Sequence, residues 1–260
     1  MTENMSVSLK DLPKVAETLL YPLLSRYSES VKENGILNDP KAVEIVEALD
    51  YDVANTRLFN TSRLGACLRS LIIDEQVERF LALNPDGVVI NIGCGLDTRF
   101  PRFDNGTVEW YDLDLPETIE VRRHFFDESE RYHFIARSAL DTGWVGDVRQ
   151  GRKTMCIMEG LSFYFTEEQN RSLLKLIHDT FPGAQLLMEC FHPFFIKMCT
   201  LPLSKDKLDK SAASQLKWGV KSGKYLERWF EGIRFVEEWY VVDRGRHYFP
   251  LGNRLMFRCM

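Results

Sequence analysis

Apolar side chains recur at Leu12, Val15, Leu19, Leu20, Leu23, Leu24 and Tyr27, the spacing of a helix over residues 9–32. Pro22 lies inside that pattern and predicts a break or kink. Asp39-Pro40 predicts a short helix through residue 49, with the aspartate as N-cap and the proline at the first helical position. A longer helical stripe follows over 62–83, with Leu64, Leu68, Leu71, Ile72 and Phe80 on one side and Arg69 in the middle. The pattern then changes. Val88-Val89-Ile90-Asn91-Ile92 is a continuous β-branched run, which predicts a strand buried on both faces. Further strands are predicted at 108–113, Tyr132–Ala136, Thr154–Met158 and 185–191.

Helices fall between those strands. Pro116 opens one over 116–126, and Thr166-Glu167-Glu168-Gln169 is a capping box leading into Leu173, Leu174, Ile177 and Phe181. Strands alternating with helices predict an α/β fold, a parallel sheet with helices on both faces. Residues 235–242 and 254–259 read as two closing strands, an antiparallel hairpin at the sheet edge. Residues 193–232 break the rhythm, with Lys205, Lys207, Lys210, Lys217, Lys221 and Lys224 mixed among Leu208, Leu216 and Trp218.

The first strand runs into Gly93-Cys94-Gly95-Leu96-Asp97-Thr98. Two glycines permit a sharp turn and a close approach to a ligand. Asp114 comes 19 positions after Gly95, past the end of the next strand. A glycine turn followed by such a carboxylate is the pattern of a nucleoside site, in which the acid accepts hydrogen bonds from ribose hydroxyls. A dinucleotide site wants a third glycine beside a pyrophosphate, but Thr98 stands there, and Asp97 would repel phosphate. The site therefore suits a cationic, phosphate-free nucleoside, as S-adenosylmethionine is.

Composition narrows the partners. With 260 residues, 45% hydrophobic, and no linker-like stretch, the chain is expected to form one domain. The net charge of −5 opposes a nucleic-acid or membrane-surface role. Six scattered cysteines without a C-x-x-C pair fit reduced thiols in the cytoplasm, and no leader or membrane-spanning run is seen. Histidines 124, 133, 178, 192 and 247 lack metal-ligand spacing, so no metal is expected. Gly160-Leu161-Ser162-Phe163-Tyr164 lacks the second glycine of a nucleophile elbow, so Ser162 reads as a capping or supporting hydroxyl.

The stretch from Val89 to Arg99, with Trp110-Tyr111-Asp112-Leu113-Asp114-Leu115-Pro116, resembles the leucine carboxyl methyltransferase family. Asn38-Asp39-Pro40, Leu68-Arg69-Ser70 and Ile157-Met158-Glu159-Gly160-Leu161 fall where that family has its other motifs. The most specific part is Gly93-Cys94-Gly95-Leu96-Asp97-Thr98-Arg99, and Trp110-Tyr111 places the chain nearer the bacterial polyketide-type O-methyltransferases. The resemblance covers residue 15 to the end and implies a Rossmann-like methyltransferase fold of seven strands, the last antiparallel. It also implies an N-terminal helical cover over about 9–83 and a helical lid over about 193–232.

The resemblance implies that Arg69 pairs with the methionyl carboxylate of S-adenosylmethionine, that Gly93 and Gly95 line the methionyl group, and that Asp114 holds the ribose. Glu159 is implied at the amino acid end or on the acceptor side, and Arg26 near the cofactor. The family's adenine-flanking Asp-Leu pair falls at Ser138-Ala139, so Ser138, or Asp141 one turn on, takes that contact. The expected reaction is methyl transfer to a carboxylate or hydroxyl of a small-molecule acceptor. A hydroxyl would gain from a base, with Glu159 and His192 the candidates, whereas a carboxylate is already ionised. The lysine-rich stretch is either a solvated face or a lid that attracts an anionic acceptor. A nicotinamide-dependent oxidoreductase would use the same sheet, but Asp97 and the missing third glycine oppose it. A catalytically silent nucleoside-binding protein is the third reading.

Overall fold

The computed structural model describes residues 17–49, 60–200 and 215–248. Among them the chain builds a five-stranded parallel sheet of order β3-β2-β1-β4-β5. The strands are β1 Val88–Ile92, β2 Glu109–Asp114, β3 Tyr132–Ala136, β4 Thr154–Met158 and β5 Gln185–Met188. Helices α1 Glu17–Ser30, α2 Pro40–Ala48 and α3 Asn60–Leu83 precede the sheet. Arg99–Phe103 (α4), Pro116–Arg122 (α5), Glu167–Thr180 (α6), Pro193–Thr200 (α7) and Val241–Arg244 (α8) follow in order. This is the α/β Rossmann-like methyltransferase architecture.

Period two sorts the strand side chains into two cores. Val89, Trp110, Tyr132, Phe134, Met155 and Ile157 face one side, against Leu23, Leu24, Ile45, Val77 and Ile119. Val88, Ile90, Ile92, Leu113, Cys156 and Met158 face the other, against Leu173, Leu174 and Ile177 of α6. Both faces of β1 and β4 are apolar because both are covered, as a parallel sheet requires. Trp218, Leu226 and Trp229 extend the second core, so the described part of the lysine-rich stretch is anchored to the α6 side. Its backbone is tied to the sheet's carboxyl end as well, through Lys217 N–H to Phe163 O and Val220 N–H to Phe191 O, both 2.8 Å.

Local signals explain the ends of several elements. The Asp39 side chain accepts from Ala42 N–H and caps α2, and Thr166 and Gln169 form the reciprocal capping box of α6. Helix α1 continues through Pro22 without a break, since one missing N–H early in a helix that is buried along Leu20, Leu23 and Leu24 does not outweigh that packing. Helix α5 stops at Arg122 rather than at 126.

Residues 235–242 are not a strand. Phe235–Tyr240 has no regular structure, and Val241–Arg244 is helical. The polar groups of this segment go elsewhere: Phe235 N–H donates to Glu227 Oε1, and Glu238 accepts from Ser222 Oγ and Gly223 N–H. Val236, 82% exposed, has no apolar face to join. Two adjacent glutamates also spoil the alternation a sheet needs. The seven-strand expectation thus reduces to five strands among the described residues, and residues 254–259 lie outside them.

Candidate functional site

The strand order reverses between β1 and β4, and ligands of open α/β sheets bind in the crevice beyond the carboxyl ends of the strands at that point. The turn after β1 carries Gly93, Gly95 and Asp97. Glu159 follows β4, and Asp114 ends β2. Gly93 and Gly95 have φ of 73° and 50°, the left-handed region that favours glycine. A Cβ at Gly93 would lie 3.0 Å from the Leu161 side chain, so the turn is closed to larger residues by space as well as by backbone angle.

Hydrogen bonds within the protein hold this turn in shape. Gly93 and Cys94 N–H donate to Leu113 O, at 2.8 and 3.2 Å. Arg122 donates to Gly95 O at 2.8 Å and to Asp97 O at 2.7 Å, and Arg26 donates to Leu96 O at 2.9 Å. Arg26 is itself held by Asp39, 2.9 Å away, the cap of α2. The expected place of Arg26 near the cofactor therefore becomes a grip on the glycine turn, made through its carbonyl.

Asp114 lies half-buried at the carboxyl end of the inner strand β2. Its Oδ2 accepts from Gly95 N–H at 2.8 Å and its Oδ1 from Leu115 N–H at 2.7 Å. Burial pushes its carboxyl above the usual range, and the two amides, the Thr118 hydroxyl and the Arg122 charge oppose that shift. The Thr118 hydroxyl bonds the same carboxylate, and with three of its lone pairs so used it keeps capacity for one further hydroxyl donor. Asp112, two residues back, is wholly buried and spent on Arg122 (2.5 Å), Tyr132 OH (2.6 Å), the Trp110 indole (3.0 Å) and Asn91 (3.2 Å).

A cluster of guanidinium and carboxylate groups closes the other side. Arg69 donates from Nε to Glu159 (2.7 Å) and from Nη1 to both Glu189 oxygens (2.8 and 3.0 Å). Its Nη2 has no hydrogen-bond partner among the described residues. Arg99 is buried and reaches Glu159 at 2.6 Å, Asp74 at 2.7 Å, Ser70 at 3.0 Å and Asp97. Burial alone would raise the Glu159 carboxyl, but Arg99 and Arg69 overcome that and lower it to about 2. A cavity of about 80 Å³ adjoins this cluster, sharing Ser70 and Asp74 with it and reaching Asp39 and Arg102.

The remaining predicted residues are more dispersed. His192 follows β5 by four positions, half-buried, and its Nδ1 accepts from Phe194 N–H at 3.1 Å at the start of α7. Ser138 Oγ accepts from Leu140 N–H, and Ala139 O accepts from the Trp144 indole, both 3.2 Å. Asp141 is exposed and committed to Gly143 N–H and Arg137. Ser162 is buried and donates to the Glu189 carbonyl, a supporting hydroxyl rather than a nucleophile. Sequence reading missed Arg99, Arg122 and Glu189 as individual residues. For Arg99 the signal was the last position of the Gly-x-Gly-Leu-Asp-Thr-Arg motif.

The residues present fit S-adenosylmethionine: a glycine turn with a carboxylate beside it, Asp114 at ribose spacing in sequence, and an arginine whose Nη2 has no hydrogen-bond partner among the described residues. The fold and this site define an S-adenosylmethionine-dependent methyltransferase. Comparisons with known proteins agree and narrow the class. The family model for leucine carboxyl methyltransferase matches residues 21–178. A tetracenomycin polyketide synthesis O-methyltransferase, TcmP of Streptomyces glaucescens, is 30% identical over 233 residues, covering 89% of this chain and 85% of that one. An S-adenosyl-L-methionine-dependent methyltransferase, dpfgK of Gibberella zeae, is 29% identical, covering 96% and 90%. Among solved structures, a Thermobifida fusca protein assigned as a methyltransferase superposes with TM-score 0.56 at 15% identity over 85% of this chain and 84% of its own. The chain belongs to the leucine carboxyl methyltransferase family. Helices α2 and α3, the glycine turn and Glu159 all fall inside the matched residues.

Proposed function

We propose that this methyltransferase transfers its methyl group to an oxygen of a small-molecule acceptor, a carboxylate in preference to a hydroxyl. One observation carries the preference: the acid that would act as base, Glu159, is clamped by Arg69 and Arg99 and lowered to about 2. A carboxylate held so low takes up a proton poorly near neutrality. His192 offers no substitute, because an Nδ1 that accepts from Phe194 N–H leaves the neutral ring's proton on Nε2, a donor. A carboxylic acid is already ionised at reference values of about 4 and needs neither residue as base. The likeness to TcmP, whose name places it in polyketide synthesis, supports an acceptor of that oxygen-rich kind.

In this reading Arg69 Nη2 pairs with the methionyl carboxylate, Gly93 and Gly95 admit the methionyl chain, and Asp114 accepts from the ribose hydroxyls. Ser138, whose hydroxyl proton remains free to donate, meets the adenine beside Ala139, and Asp141 is spent on its own turn. S-adenosylmethionine supplies a methyl on a sulfonium, and transfer to oxygen is an in-line displacement for which alignment is the chief requirement. The whole chain is read as one such domain, with the insertion over about 193–232, of which 201–214 lie outside the described residues, as the lid on the acceptor side.

Asp114→Ala is expected to weaken S-adenosylmethionine binding by roughly 1.5–3 kcal/mol, the range for hydrogen bonds to a charged group. Titration calorimetry with an affinity unchanged within twofold would make the carboxylate a brace for Gly95 alone. For the acceptor, the methylation rate is expected to be flat with pH from about 5.5 to 9, a range spanning the reference histidine pKa. A steep rise that vanishes in His192→Ala would establish general-base catalysis on a hydroxyl instead.

A further inference from the structure

We propose that Glu189 is a positioning residue of the cofactor site, holding Nη1 of Arg69 so that the remaining nitrogen, Nη2, meets the methionyl carboxylate. The inference rests on the reading that Arg69 takes that carboxylate. Glu189 is the first residue beyond β5, and its N–H continues the ladder to Met158 O at 3.0 Å. Its Oε2 accepts from Gly160 N–H at 2.6 Å, and its carbonyl accepts from the buried Ser162 hydroxyl. The residue is thus fastened to the turn after β4 through both main chain and side chain. Arg69 arrives from α3 on a long flexible stem and must conform to that fixed carboxylate rather than the reverse.

Glu159 holds the Nε edge in the same way and is held in turn by Arg99. With Nε and Nη1 held by anchored carboxylates, the guanidinium plane has one orientation, and Nη2 is the donor left without a hydrogen bond among the described residues. The second carboxylate also keeps the pocket negative around Arg69, which suits a ligand bearing a sulfonium and an ammonium beside its one carboxylate. No part of the reaction needs Glu189 to touch the ligand.

The test compares two ligands on the full chain by calorimetry: S-adenosylhomocysteine, which carries the amino acid end, and 5′-methylthioadenosine, which lacks it. Glu189→Gln, nearly isosteric, is expected to raise the dissociation constant for S-adenosylhomocysteine about tenfold and to leave that for 5′-methylthioadenosine within about twofold. In an Arg69→Met background the same substitution is expected to change neither, since its effect passes through Arg69. Glu189→Asp keeps the charge but falls one methylene short, and is expected to lie between wild type and Gln. The proposal is overturned if Glu189→Gln binds S-adenosylhomocysteine like wild type, if both ligands weaken alike, or if the loss persists without Arg69. If Arg69→Met alone leaves S-adenosylhomocysteine binding intact, the reading of Arg69 itself is wrong. That outcome is distinct from a failure confined to Glu189.

Discussion

Arg99→Met is expected to destabilise the protein by about 3–5 kcal/mol, the usual result of removing one partner from a buried ionic cluster. The Arg99 side chain is 1% exposed, while Asp74, Asp97 and Glu159 around it are 11–13% exposed. Methionine fills much of the volume but leaves three carboxylates facing one another with little water. Arg69 and Arg102 each satisfy one of them from the far side and do not reach Asp97. Lysine is not expected to rescue, since a point charge cannot serve three carboxylates and Ser70 as the planar fork does.

The loss should depend on pH in a definite direction. In the wild type Glu159 is lowered from its ordinary 4.5 to about 2, with burial opposing and Arg99 the foremost favourable partner. A depressed carboxyl contributes stability that is complete above 4.5 and is lost as pH falls toward 2. Without Arg99, Glu159 rises and can protonate in the mildly acidic range, which relieves the repulsion. The gap in unfolding free energy between wild type and variant should therefore be widest near pH 7 and should shrink below about pH 4.5. Urea titrations at pH 7 and pH 4 read both quantities. A gap below about 1 kcal/mol at pH 7, a surface-like value, would mean that the cluster holds together without its central cation.

The sheet was legible because its physics is local. Val88–Ile92, Tyr132–Ala136 and Thr154–Met158 begin and end where the apolar runs do, and a two-sided core is what such runs demand. The glycine turn and Asp114 were legible because chemistry ties them at close spacing. Residues 235–242 misled because apolar residues alone suggested a strand, while the glutamates at 237 and 238 were already bonded to another loop or exposed. The cluster around Arg69 was half legible. An arginine on a helix reads the same whether it faces water or a buried acid, and Glu189 lies 120 positions away from it in the chain. Arg122 was invisible for the same reason: only the folded sheet brings Asp112, Gly95 and Asp97 to it.

That last contact sets Asp112 apart from Asp114, the aspartate read as the ribose partner. Asp112→Asn is expected to lower stability by about 3–5 kcal/mol, because it strips the charge partner from a buried guanidinium. One Asp112 oxygen accepts from Trp110 and Asn91, and the other accepts from Tyr132 OH and pairs with the Arg122 guanidinium. An asparagine turns one of those acceptors into a donor, so a donor must face donors whichever way the amide lies. The Arg122 hydrogen bonds to Gly95 O and Asp97 O do not involve the altered side chain, so the glycine turn keeps its grip. The folded Asp112→Asn protein should then bind S-adenosylmethionine more tightly than Asp114→Ala does, despite being the less stable of the two. Chemical denaturation and calorimetry on both variants decide the matter. Equal losses of affinity would make Asp112 a ligand contact, and a stable Asp112→Asn protein would mean that Arg122 finds its counter-charge elsewhere.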